Sequence, residues 1–179
     1  MREEREGGTS GGAAEHMSPF TFEELASREV DTLYQGALFM NGGDEDAAEG
    51  LLLWTLTHAF HAFRRGSVGD PGRWLEARLV REFLQAAGDD AAEPVHEDVE
   101  LGPVDAVAEL AMASLARAAA VLPYRARAAL WLVVFRRWSY ADAARELGLD
   151  IEGLKDVLRY RDLLVRTVIR GATRNGTDA

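Results

Sequence analysis

The run Asp44-Glu-Asp-Ala-Ala-Glu-Gly-Leu-Leu-Leu-Trp-Thr-Leu-Thr-His-Ala-Phe-His-Ala-Phe63 constrains this chain more than any other stretch. It predicts one long helix. Asp44 supplies an N-cap, and Glu45 and Asp46 place negative charge at the positive end of the helix dipole. At 3.6 residues per turn, Leu52, Leu56, Ala59, Phe60 and Phe63 share one stripe, the expected core face. Gly50, Trp54, Thr57 and His61 then fall on the opposite side, with Leu51 and Leu53 on the flanks. A purely solvated face has no use for a tryptophan. The helix is therefore expected to bury two faces, and the second needs an occupant.

The rest of the chain sets bounds on that occupant. Its 179 residues are 47% hydrophobic, enough for one packed domain or two small ones. No apolar run approaches the roughly 20 residues of a membrane span, and no N-terminal stretch has the apolar core of a secretory signal. The absence of cysteine excludes a disulfide framework and thiolate metal sites. These features predict a cytoplasmic protein with no membrane partner. The net charge of −10 is uneven: residues 1–100 hold 8 Lys/Arg against 21 Asp/Glu, whereas residues 101–179 hold 12 against 9. Attraction to phosphate supplies most non-specific nucleic-acid affinity, so the front half is ill suited to it and the back half permits it.

Taken in order, residues 1–18 carry no apolar period and read as a disordered tail. Thr21 to Met40 reads as a helix, with Thr21 as N-cap, Glu24 at the capping-box position and Asn41-Gly42-Gly43 as its stop. A third helix is predicted from Arg73 to Ala87. The acidic stretch after it, with Asp89, Asp90, Glu93, Glu97, Asp98 and Glu100 and two prolines, reads as a linker. Further helices are predicted over 104–121, 124–137, 139–147 and 151–170. The fold class is all-α: a tail (1–18), a helical domain (19–88), an acidic linker (89–105), a second helical domain (106–172) and a tail (173–179).

Trp138-Ser-Tyr-Ala-Asp-Ala-Ala-Arg-Glu-Leu-Gly-Leu-Asp-Ile-Glu-Gly-Leu-Lys-Asp-Val-Leu reads as a helix-turn-helix. Ala144 and Leu147 point inward, Gly148 permits the turn, and Ile151, Leu154 and Leu158 bury the second helix. In a DNA-binding member of this class that second helix enters the major groove, with basic side chains on phosphates. The candidates are Lys155, Arg159, Tyr160, Arg161 and Arg166. A helical corner without DNA contact fits the same pattern.

The wider context resembles a known family. Leu122-Pro123, Arg127, Phe135, Ser139-Tyr140, Ala144, Leu147-Gly148, Ile151, Lys155 and Leu158 are similar, at the same spacing, to region 4 of extracytoplasmic-function (ECF) sigma factors of bacterial RNA polymerase. Phe22 to Leu25, Leu33-Tyr34, Ala37-Leu38 and Glu45 to Ala47 resemble the opening of sigma region 2. Ala48-Glu49, Leu51, Thr55, Leu56, Ala59-Phe60 and Trp74-Leu75 continue it. The resemblance covers about residues 20–87 and 108–170. It implies a non-enzymatic protein with no cofactor and no metal. Region 2 would bind the polymerase clamp and melt the −10 promoter element, and region 4 would bind the flap and read the −35 element. The clamp-facing residues would be Asp46, Glu49, Gly50, Leu53, Trp54, Thr57 and His61.

Three departures from the family pattern matter. Gly50, Leu53 and Trp54 stand where the family has polar contacts. The helix after Trp74-Leu75 keeps only Arg78 and Arg81 and ends on Asp89-Asp90 in place of a basic cluster. The recognition helix carries Asp156, Val157 and Asp162 among its cations. Two functions follow as expectations. One is an ECF-like sigma factor with degenerate clamp and melting residues, its partners being polymerase core and promoter DNA. The other is a sigma-like interaction module that docks a dedicated protein, such as an anti-sigma factor, on the Leu53/Trp54 face. His58 and His61 stand three apart, but no third ligand is placed by the sequence, so they read as surface or contact residues.

Overall fold

A computed structural model describes residues 21–64, 70–88 and 109–175. The tail 1–18 and the linker 89–105 anticipated from sequence lie outside these. Among the described residues there are helices and turns and no strand, so the fold is all-α.

Local chemistry explains most helix ends. Helix α1 (Phe22–Met40) opens on a complete capping box, with the Thr21 amide donating to Glu24 (2.8 Å) and the Glu24 amide to the Thr21 hydroxyl (3.2 Å). The Asp44 carboxylate caps α2 (Glu45–Phe63) by accepting from the Ala47 amide at 3.0 Å. Helix α3 (Pro71–Ala87) begins two residues before the predicted Arg73. Asp70 caps it there, and Pro71 fits a first turn whose amide has no helical partner. Helix α4 spans Glu109–Ala119, α5 Tyr124–Leu130, α6 Tyr140–Leu147, α7 Ile151–Leu158 and α8 Tyr160–Asn175.

Two predicted helices are interrupted. The one expected over 124–137 widens into a π-helical turn at Trp131–Phe135, closed by the Arg136 amide on the Trp131 carbonyl (3.0 Å). The one expected over 151–170 breaks at Arg159, where the Arg159 and Asp162 amides bond to carbonyls three residues back.

The first three helices pack as a unit, and α2 contributes Ala48, Thr55 and Ala59 as its buried seam. These small side chains let α1 and α3 approach closely, which rotates the seam away from Phe60. Phe60, expected in the core, is 41% exposed and meets Phe22 edge-on at 5.5 Å.

The later helices pack directly against this unit and share its core. Trp131 lies over Gly36, where a Cβ would fall 2.6 Å from the indole. Phe39 sits 6.4 Å from the Trp131 ring and 5.0 Å from Phe135. The buried Arg127 guanidinium donates to three carbonyls: Met40 of α1 (2.9 Å), Ala120 (2.6 Å) and Leu122 (2.9 Å). Burial pushes its pKa down, and the Tyr124 ring, 4.8 Å away, acts in the other direction.

Candidate partner and nucleic-acid interfaces

The structure brings the seven residues anticipated on α2 onto one exposed face: Asp46, Glu49, Gly50, Leu53, Trp54, Thr57 and His61. Leu53 is 69% exposed and Trp54 57%. Acids occupy the N-terminal end of the stripe and apolar side chains its middle, as expected for a helix with a second surface to cover. No described residue covers Leu53.

Trp54 is exposed but not loose. Its indole N–H donates to the Glu82 carboxylate at 2.9 Å, and Glu82 is held in turn by Arg78 at 3.0 Å. The ring lies 4.2 Å from His58, whose Nδ1 is 2.9 Å from the Trp54 carbonyl. A preset aromatic loses little rotamer freedom on binding, which favours it as an anchor.

Gly50 adds a second signal. A Cβ there would meet nothing within 4 Å, so no contact inside the described chain requires glycine. Mid-helix glycine is less favourable than alanine by about 0.8–1 kcal/mol. Gly50→Ala is therefore expected to stabilise the free protein by about 0.5–1 kcal/mol in a urea titration. If the bare backbone serves close approach of a partner, the same change weakens partner binding. Unchanged stability would show that Gly50 has a role within the fold.

Helices α6 and α7 are joined by a tight turn at Gly148. Ser139 caps α6, accepting from the Asp142 amide, while its hydroxyl and Arg145 hold the Asp142 carboxyl below the usual carboxylate range. Gly148 adopts φ +64°, and the Leu149 amide closes the turn on the Ala144 carbonyl at 2.9 Å. Ala143, Ala144, Leu147 and Leu154 are buried; Ile151, expected inside, is 39% exposed.

The candidate DNA-binding residues are divided between α7, its C-terminal cap and α8. Lys155 on α7 and Arg159 at its C-terminal cap are exposed and four positions apart. Arg161 and Arg166 lie beyond the break on α8, five positions apart and on different sides. Tyr160 is half-buried against the core. Each of these cations also has a local oxygen partner: Lys155 with Glu152 (2.7 Å), Arg159 with Asp156 (3.2 Å), Arg161 with Asp162 (3.3 Å) and Arg166 with the Asp162 carbonyl (3.1 Å). The hydrogen bond to Glu152 raises the Lys155 pKa, keeping the ammonium charged within its pair.

Sequence reasoning overlooked Glu76, Glu82, Arg136 and Trp138. Glu76 accepts from the Trp138 indole (2.7 Å) and Arg136 (2.6 Å) and is only 3% exposed. A signal was present: Glu76 stands three, four and seven positions before Leu79, Val80 and Phe83, on the core side of α3.

No protein-family model and no curated relative matches the sequence. Among solved structures, the chain is similar to one in the co-crystal structure of the sigma factor RpoE in complex with the anti-sigma factor NepR from Bartonella quintana. The match has a TM-score of 0.63 at 23% identity and covers 82% of this chain and 96% of that one. The fold is therefore that of an ECF sigma factor. No described helix is long and apolar enough to cross a membrane.

Proposed function

We propose that this chain is a non-enzymatic, sigma-factor-like regulator of transcription initiation, acting in the cytoplasm without cofactor or metal. It docks RNA polymerase core through the exposed face of α2 and approaches promoter DNA with α7. What supports this reading is the α2 face: seven solvent-facing positions on the stretch whose sequence resembles the clamp-binding part of sigma region 2. The back helices would take the flap and the −35 element.

The local ion pairs on α7 and α8 make the DNA contact weak. Residues 150–166 hold four acids and four bases, so few phosphate counterions are displaced on binding. Lys155→Ala combined with Arg159→Ala is expected to lower affinity for duplex DNA at low salt and to reduce the slope of log K against log [salt] by about 2. An unchanged slope would remove α7 from the DNA interface. Run-off transcription by polymerase core supplemented with this protein tests the function as a whole: a specific transcript supports it.

A second reading is favoured by the 69% and 57% exposure of Leu53 and Trp54, an apolar surface where a polar one suits the clamp. In this reading the face docks a dedicated protein, such as an anti-sigma factor. Stable capture of such a protein, together with failure to bind polymerase core or DNA, would select it over the first.

A further inference from the structure

We propose that Glu82 is a positioning residue that sets the Trp54 indole for docking and acts through Trp54 alone. The proposal rests on the reading of the α2 face as the polymerase contact. The tether comes from the neighbouring helix: the indole N–H donates to the Glu82 carboxylate of α3 at 2.9 Å. Glu82 is 8% exposed, and its other oxygen meets Arg78, one turn earlier on α3, at 3.0 Å. His58, one turn after Trp54 on α2, lies 4.2 Å from the ring. The indole is thus fixed at its polar edge and along one side, yet Trp54 stays 57% exposed.

Long helical side chains ordinarily lean back over the turn N-terminal to their own Cα, which for Trp54 is the turn at Gly50. A Cβ at Gly50 would nonetheless meet nothing within 4 Å. The indole is therefore held aside, toward α3, and the backbone at Gly50 stays bare. Freed from Glu82, the side chain regains two χ1 wells and a roughly two-fold χ2, about four rotamers. Setting one of them before encounter is worth up to about fourfold in affinity. The tether also fixes the partner's chemistry at this spot. With its single donor already engaged, the indole offers a partner apolar ring surface and no hydrogen bond. The complementary pocket is lined by aliphatic or aromatic side chains and supplies no acceptor, because an acceptor there would be desolvated without a donor.

Two measurements on the full chain test the proposal. The first is solvent exchange of the Trp54 indole proton by NMR in the free protein, assigned by its loss in Trp54→Phe. Glu82→Ala is expected to speed that exchange at least fivefold. Glu82→Gln, which keeps an oxygen for the indole, is expected to change it less than twofold. Unchanged exchange in folded Glu82→Ala overturns the tether. The second is a double-mutant cycle in affinity for RNA polymerase core. Glu82→Ala is expected to weaken binding about fourfold in the wild-type background. In the Trp54→Phe background, where the ring remains but the donor is gone, it is expected to change binding less than twofold. An equal loss in both backgrounds, or no loss in either, overturns positioning through Trp54. Should Glu82→Ala fail to fold, Arg78→Met with Glu82→Leu removes the ion pair whole and still leaves no oxygen for the indole. No binding by the wild-type protein overturns the docking reading and this role within it, while indole exchange still decides the tether.

Discussion

Replacing Arg127 with alanine is expected to destabilise the protein by about 3–5 kcal/mol, the largest effect of any single polar substitution. The guanidinium satisfies the carbonyls of Met40, Ala120 and Leu122 from a site that is 7% exposed. Truncation leaves those acceptors without a donor and removes packing against Tyr124. An unmade bond to a buried group costs about 1–3 kcal/mol. Arg127→Lys is no remedy, because a single ammonium cannot reproduce a planar fork aimed at three oxygens. Chemical denaturation reads the loss directly. A change below about 1 kcal/mol would mean that water reaches these carbonyls and that the seam between α1 and the back helices is wet.

The second large effect concerns the apolar side of the same seam. Trp131→Ala is expected to cost about 3–5 kcal/mol, because the indole fills the space over Gly36 between Phe39 and Phe135. Gly36 sharpens the test. In an isolated helix, glycine to alanine gains about 0.8–1 kcal/mol. Here the new methyl would sit 2.6 Å from the ring, so Gly36→Ala is expected to cost about 1–3 kcal/mol. In the Trp131→Ala background that clash is gone, and the same substitution should become stabilising. This sign reversal in a double-mutant cycle is a signature of direct contact. A stabilising Gly36→Ala in the wild-type background would contradict the packing.

Much of the helical framework was legible because it is encoded locally. Thr21, Asp44 and Ser139 announce helix starts within three residues, and Gly148 announces the turn. The α2 face was legible for the same reason: the period alone groups Gly50, Trp54, Thr57 and His61, with Leu53 on the flank, and all are exposed. Phe60 was misplaced because the period gives a stripe but not its centre, which depends on how closely α1 and α3 approach Ala48, Thr55 and Ala59. The π-helical turn begins at Trp131, which packs on Gly36, a contact between residues far apart in sequence. The same holds for Trp54 and Glu82, 28 positions apart, and for Arg136 and Glu76, 60 apart. Such pairs leave a mark only as an acid in an apolar stripe. The candidate cations of α7 were found, but their neutralisation by Glu152 and Asp156 depends on rotamers the spacing only permits.

The central claim is that the α2 face docks RNA polymerase core, and one binding measurement addresses it most directly. Purified protein is titrated against polymerase core beside the Leu53→Asp variant. A substitution at a side chain 69% exposed should change stability by no more than about 0.5 kcal/mol. The account predicts that the wild-type protein binds and that the folded variant loses at least tenfold in affinity. Equal binding by both proteins, or no binding by either, would contradict it.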